Sequence, residues 1–194
     1  MTMICHKIIS LLVLFLGLVQ AHMAQPQPSD HVGRTARRDN DKSVFMRAQI
    51  ERVHSETAAL RDALSRWDGT ASDAAHIQAA NAQLVTVVHD AASQIATSAQ
   101  SPKLNIRSAL RLKDPIRALV QLTDEVVEHF IAQKQRFEDV QLRSQVKAGL
   151  EATKEASLAM NKAVVGKMPR VGRKKAGKVG EAMKRIFDKG IKAF

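Results

Sequence analysis

The chain has 194 residues, 30 Lys and Arg against 19 Asp and Glu, a formal net charge of +11, one cysteine, one tryptophan and no tyrosine. An aromatic content of 4% with nine glycines and five prolines excludes a β-sandwich, a Gly-rich nucleotide-binding fold and a collagen-like repeat. A hydrophobic fraction of 45%, mostly Ala, Leu and Val, suits a single packed helical domain.

Residues 1–21 read as a secretory signal peptide. Lys7 closes a short charged start, Ile8 to Val19 is apolar apart from Ser10 and Gly17, and Val19-Gln20-Ala21 resembles a cleavage site. At about a dozen residues the run is shorter than the roughly 20 a membrane-spanning helix needs. Cys5 is expected to leave with the signal, so no disulfide, Cys–His metal site or cysteine nucleophile is expected in the mature chain. Residues 22–43 lack apolar periodicity and carry Pro26, Pro28 and Gly33, which marks a linker or propeptide. Arg37-Arg38 is a dibasic pair open to two readings, a protease cleavage site or part of an uncut arm.

From residue 44 the apolar period is helical. Met46, Ile50, Val53, Thr57, Leu60, Leu64 and Trp67 step by three and four along one face, and Asp68-Gly69 ends that helix. Thr70, with Asp73 three residues on, predicts a capped start for a second stripe through Ile77, Asn81, Leu84, Val88, Ala91, Ile95 and Ser98. Ser101-Pro102 predicts a break and fresh start, with Leu104, Ser108 and Leu112 on a short amphipathic piece. Asp114-Pro115 reads as an N-cap with proline at the first helical position. A third stripe follows through Ile116, Leu119, Leu122, Val126, Phe130, Lys134 and Phe137.

After Glu138-Asp139 a fourth stripe places Leu142, Val146, Leu150, Thr153, Ser157, Met160 and Val164 inward, with Gly149 and Ala156 beside them. Residues 166–172 break the pattern, and 176–194 form a fifth, basic helix. Short connections between long helices predict an all-α, antiparallel up-and-down bundle of about five helices over 44–194.

The Trp67-Asp68-Gly69 turn, the stretch from Phe130 through Gln135-Arg136-Phe137-Glu138-Asp139, and the closing Ile186-Phe187-Asp188-Lys189-Gly190-Ile191-Lys192-Ala193-Phe194 resemble the fungal hydrophobic surface-binding protein A and cell wall galactomannoprotein family. The resemblance covers about residues 44–194 and implies a secreted helical bundle that binds apolar surfaces or holds a lipid such as a fatty acid between helices. Two features depart from the family. Gln141 stands where a glycine is common after the Phe-acidic turn, and the chain is strongly basic.

The charge is concentrated at one end. Residues 166–194 carry +8, residues 44–165 only +1, and residues 1–43 +2. On a helical wheel Val179, Met183, Ile186, Phe187, Gly190, Ile191 and Phe194 share an arc of roughly 140° opposite the charged residues. Two readings stay open, a last bundle helix with a solvated face or a helix that lies on an anionic membrane. The second would use Lys174, Lys175, Lys178, Lys184, Arg185, Lys189 and Lys192 at the headgroups. Arg170, Arg173 and their lysine neighbours, read as a loop, would also suit phosphates. Nucleic acid is nonetheless disfavoured for a secreted chain without an aromatic platform.

Signatures of chemistry are missing from the sequence. His54, His76, His89 and His129 sit on different segments without metal-ligand spacing, and no nucleophile elbow or P-loop occurs. The expectation is a secreted, extracellular or wall-associated, monomeric protein, not an enzyme, with no cofactor or metal. As a lipid carrier it would use Leu84, Val88, Leu119, Leu122, Val126, Phe130 and Phe137 facing the small residues Gly149, Thr153 and Ser157. That pairing leaves either a cavity or close helix packing. The other function class is adhesion, in which the bundle presents apolar surface to a wax, wall or membrane.

Overall fold

The computed structural model describes residues 41–194, so the expected signal peptide, most of the linker and the Arg37-Arg38 pair lie outside the described residues. Among these, seven helices and no strand occur. They are α1 (Asp41–Arg66), α2 (Ala71–Thr97), α3 (Ile106–Arg111), α4 (Lys113–Ala132), α5 (Lys134–Asp139), α6 (Arg143–Lys167) and α7 (Arg170–Ala193). None of them is long and apolar enough to cross a membrane.

The first stripe packs as its spacing demands. Every one of its members from Met46 to Trp67 is buried. Thr57 remains on the core face because its hydroxyl donates to the Val53 carbonyl (2.8 Å). Gly69 ends the helix with φ 101°, a left-handed conformation that glycine adopts without a Cβ clash. The last carbonyls of α1 are satisfied from far along the chain. Gln133 Nε2 donates to the Leu64 carbonyl (2.5 Å) and Arg136 Nη1 to the Trp67 carbonyl (2.8 Å). Thr70 caps α2 as expected, its hydroxyl accepting from the Asp73 N–H (3.3 Å).

In chain order the five long helices reverse direction one after another. Their lateral order follows a different rule. The helices close a ring, α1–α2–α6–α7–α4 and back to α1. Asn81 meets Gly149 and Thr153 early in α2 and α6, Gln133 just after α4 reaches the end of α1, and Lys189 pairs with Glu128 late in α7 and α4. These three contacts therefore join parallel helices. Only α1–α2 and α6–α7 are antiparallel neighbours, the latter held by Lys154–Asp188 (2.6 Å).

Four boundaries differ from the sequence reading. The fresh start after Ser101-Pro102 is delayed to Ile106, where the Asn105 side chain caps α3 by accepting from the Ser108 N–H (2.8 Å). Asp114 is not an N-cap. α4 already begins at Lys113, and Pro115 sits inside the first turn, where its missing N–H has no partner to lose. The third stripe breaks at Gln133, so Lys134 belongs to the short α5 and is only half-buried. Finally, α7 starts at Arg170, six residues before the expected start. Pro169 occupies its N-cap, and the segment read as a basic loop is helix.

The turn after α5 accounts for the Gln141 departure. Gln141 has φ 59°, its N–H donates to the Glu138 carbonyl (2.9 Å), and the Leu142 N–H donates to the Phe137 carbonyl (2.8 Å). This pair of bonds is the Schellman closure, whose left-handed position favours glycine.

Candidate functional site

All five long helices contribute to an interior seam. Its walls carry Val53 and Leu60 from α1, Leu84 and Val88 from α2, Leu119 and Val126 from α4, Met160 from α6 and Phe187 from α7. No charged side chain lines it. The open space is narrow, about 70 Å³, enough for a few water-sized spheres at roughly 10–15 Å³ each. Met160 and Met183 form part of the wall, and their unbranched, flexible side chains can rearrange to widen it.

Seven of the ten residues expected to meet a ligand line this seam, namely Leu84, Val88, Leu119, Val126, Phe130, Thr153 and Ser157. Leu122 is buried on α4 but lies outside the lining. Phe137 closes one end of the bundle in an aromatic cluster, its ring centroid 4.2 Å from Trp67, 5.7 Å from Phe130 and 6.2 Å from Phe194. Gly149 serves close packing. The Asn81 amide nitrogen lies 2.6 Å from where a Cβ on residue 149 would stand. Thus the small face of α6 does both jobs, packing at Gly149 and leaving space at Thr153 and Ser157.

The polar atoms of the seam are neutral. Thr123 and Thr153 donate to carbonyls four residues back, Leu119 and Gly149, each over 2.8 Å. Asn81 and Asn161 occupy notches opposite Gly149 and Gly180, where no Cβ blocks them. A buried carboxylate would find no cation here, and an unpaired charge in such a site is costly.

The opposite end of the bundle from the aromatic cluster is open. A groove of about 680 Å³ lies between α3 with the first half of α4 and the first half of α7. Close to it the Leu104 N–H, just before α3, donates to the carbonyl of Lys167, the last residue of α6 (2.8 Å). Three exposed apolar residues, Ile106, Leu110 and Val171, form the lips of the groove, with Lys113, Arg117, Lys175 and Lys178 in the same lining. Ile116, Val120 and Val179 line both the groove and the seam.

The basic helix is electrically uneven. Near its end Lys184 bonds to Asp188 (2.6 Å), which also accepts from Lys154, and Lys189 pairs with Glu128. The hydrogen bonds from Lys154 and then Lys184 hold the Asp188 carboxyl below the usual carboxylate range. Hydrogen bonding to Asp188 in turn raises Lys184, and hydrogen bonding to Glu128 raises Lys189. Lys174, Arg185 and Lys192 are exposed outside the groove.

The apolar side of α7 is docked. Met183, Phe187, Gly190 and Phe194 are buried, and Val179, Ile186 and Ile191 pack against the core. Insertion of that face into a membrane, one of the two sequence readings, would require the helix to leave the bundle. Of the histidines expected on different segments, His54 lies on α1 and His129 on α4 but His76 and His89 share α2, and no group of three or more metal-capable side chains gathers among the described residues.

Residues 46–166 match the family described as Hydrophobic surface binding protein A. The chain belongs to that family. Among curated proteins, Cell wall mannoprotein 1 of Aspergillus flavus is similar to this family member, 23% identical over 145 residues. That alignment takes in 75% of this chain and 51% of the relative, so the chain spans about half its length. Ligand binding domain 1 of the Penicillium marneffei MP1 protein, complexed with arachidonic acids, is similar in structure with a TM-score of 0.74. The identity is 19%, with 78% of this chain and 97% of that chain covered. AFMP4P in complex with palmitic acid gives a TM-score of 0.73 at 13% identity, covering 78% and 98%. At such identities the likeness establishes the fold. The family match ends before α7, so one wall of the groove lies beyond it.

The groove residues Ile106, Leu110, Lys113 and Arg117 were not singled out from the sequence. Their spacing of four, three and four was a usable signal, since it marks a second face on the α3–α4 stretch beside Leu104, Ser108 and Leu112.

Proposed function

We propose that this member of the hydrophobic surface binding protein A family is a non-enzymatic, secreted, monomeric binder of fatty-acid-like amphiphiles. The acyl chain lies in the interior seam. One observation carries the reading: an uncharged, apolar seam lined by all five long helices shares wall residues with a groove open to solvent. Each buried CH₂ contributes about 0.8 kcal/mol, so a long chain can bind through apolar contact alone. The methionines in the wall allow the seam to widen. The fatty acids bound to the structurally similar MP1 domain and AFMP4P support the same reading, and the wall mannoprotein relative supports an extracellular or wall location.

The test is native mass spectrometry of protein purified from its secreting host, followed by delipidation and displacement of a fluorescent fatty acid. Co-purified lipid with saturable, stoichiometric displacement is expected. No lipid and no saturable binding would overturn the proposal.

A second reading is favoured by one observation, the exposure of Ile106, Leu110 and Val171 by more than half. Adjacent apolar lips of this kind suit adsorption to a hydrophobic surface. Adsorption that grows with available area, with no fixed stoichiometry, would identify it.

A further inference from the structure

We infer that the groove between α3, α4 and α7 is the headgroup site and portal for the same amphiphile. In this assignment the anionic head of a single-chain lipid is held by Lys113, Arg117, Lys175 and Lys178. The inference rests on the proposed interior binding and adds the place of the charge.

The interior offers no cation, whereas the groove lining holds four and no Asp or Glu. None of the four makes an ion pair among the described residues, in contrast to Lys184 and Lys189 further along α7. Two of them, Lys175 and Lys178, stand on α7, and the other two stand on α4 across the groove. A carboxylate between these helices would meet charge from both walls. Its chain would pass the shared side chains Ile116, Val120 and Val179 into the seam. The Leu104 N–H to Lys167 carbonyl bond ties the segment just before α3 to the last residue of α6, three residues before α7 begins, beside the groove.

The groove could instead receive a membrane surface or a second copy of the chain. Continuity with the seam favours a molecule with one thin tail. Four unpaired cations around the mouth disfavour a second copy, whose own cations would face them.

The test compares a fluorescent C18 fatty acid with its uncharged methyl ester. The proteins are the wild type, Lys175→Gln with Lys178→Gln, Lys113→Gln with Arg117→Gln, and a control pair, Lys147→Gln with Lys162→Gln, on the exposed face of α6. Circular dichroism confirms folding of each. Either groove pair is expected to weaken acid binding by about fivefold to tenfold, the effect of losing two exposed charge contacts. Ester binding and the control pair should be unchanged. Salt should weaken the acid and not the ester, as charges at the mouth are screened within roughly 8 Å at physiological ionic strength.

If the wild type binds the acid and ester and the groove pairs bind the acid as well as wild type does, the headgroup assignment falls while interior binding stands. Equal loss of acid and ester also overturns it, since that marks a structural effect. Should the groove pairs lose only their hold on phosphatidylserine vesicles, the groove is a membrane contact and the assignment fails. Failure of the wild type to bind either ligand removes the interior reading and this one together.

Discussion

Val127 Cγ1 lies 2.8 Å from the position a Cβ on Gly190 would occupy, and Leu150 Cδ1 lies 3.3 Å from it. Three helices, α4, α6 and α7, meet at this missing side chain. Val127 is β-branched and cannot swing clear. Gly190→Ala gains up to about 1 kcal/mol of helix propensity but overpacks the contact at a cost of about 1–3 kcal/mol. A net loss of roughly 1 kcal/mol is expected in urea unfolding. Gly177 is the control, with nothing within 4 Å of its Cβ position. Gly177→Ala should stabilise by about 0.5–1 kcal/mol.

Gln141 carries a left-handed φ of 59° in the closure after α5. A side chain there costs about 1–2 kcal/mol relative to a right-handed conformation, partly offset because glycine has more freedom to lose on folding. Gln141→Gly should therefore raise the unfolding free energy by about 0.5–1 kcal/mol. Gln141→Val should lower it. Equal urea midpoints for all three chains would contradict this account of the turn.

Occupation of the seam links binding to stability. A ligand bound only by the folded state, at a hundredfold excess over its Kd, adds about 2.7 kcal/mol. A long-chain fatty acid should raise the melting temperature in a concentration-dependent way, and a short-chain acid should not. Leu84→Ala, which removes a buried wall residue, should cost about 2–5 kcal/mol without ligand. Differential scanning calorimetry with and without lipid checks both outcomes.

Asp188 joins α6 to α7 through Lys154 and is depressed in the folded chain by its bonds to Lys154 and Lys184. A carboxyl of lowered folded pKa contributes stability above its unfolded value, near about 3.9. That contribution is lost as pH falls through the lower folded value. Asp188→Asn should flatten the stability profile below about pH 4 and leave its shape at neutral pH unchanged. An unaltered acid limb would show that the bridge is not formed in solution.

The core faces of the long helices were legible in the sequence, because such a face must repeat every three or four positions, whereas not all of their ends were, as the stretch from Arg170 read as loop is helix. The stripes of α1 and α2 and the Thr70 cap needed nothing beyond local chemistry. Gln141 was marked as a residue in a glycine position by the family resemblance and not by local chemistry. What local chemistry could not decide was which helices sit side by side. Short loops force consecutive helices to reverse, yet three of the five ring contacts join parallel helices that are distant in sequence. That order is set by side-chain fit across the core, such as Asn81 into the notch at Gly149 and Val127 against Gly190. The same reason separates the expected ligand residues. Periodicity marked Phe137 and Gly149 as inward-facing, but only packing distinguished the closed aromatic end and the helix contact from the open seam. The groove is more distant still from sequence, since Leu110 and Lys178 line one space only once α7 packs beside α4.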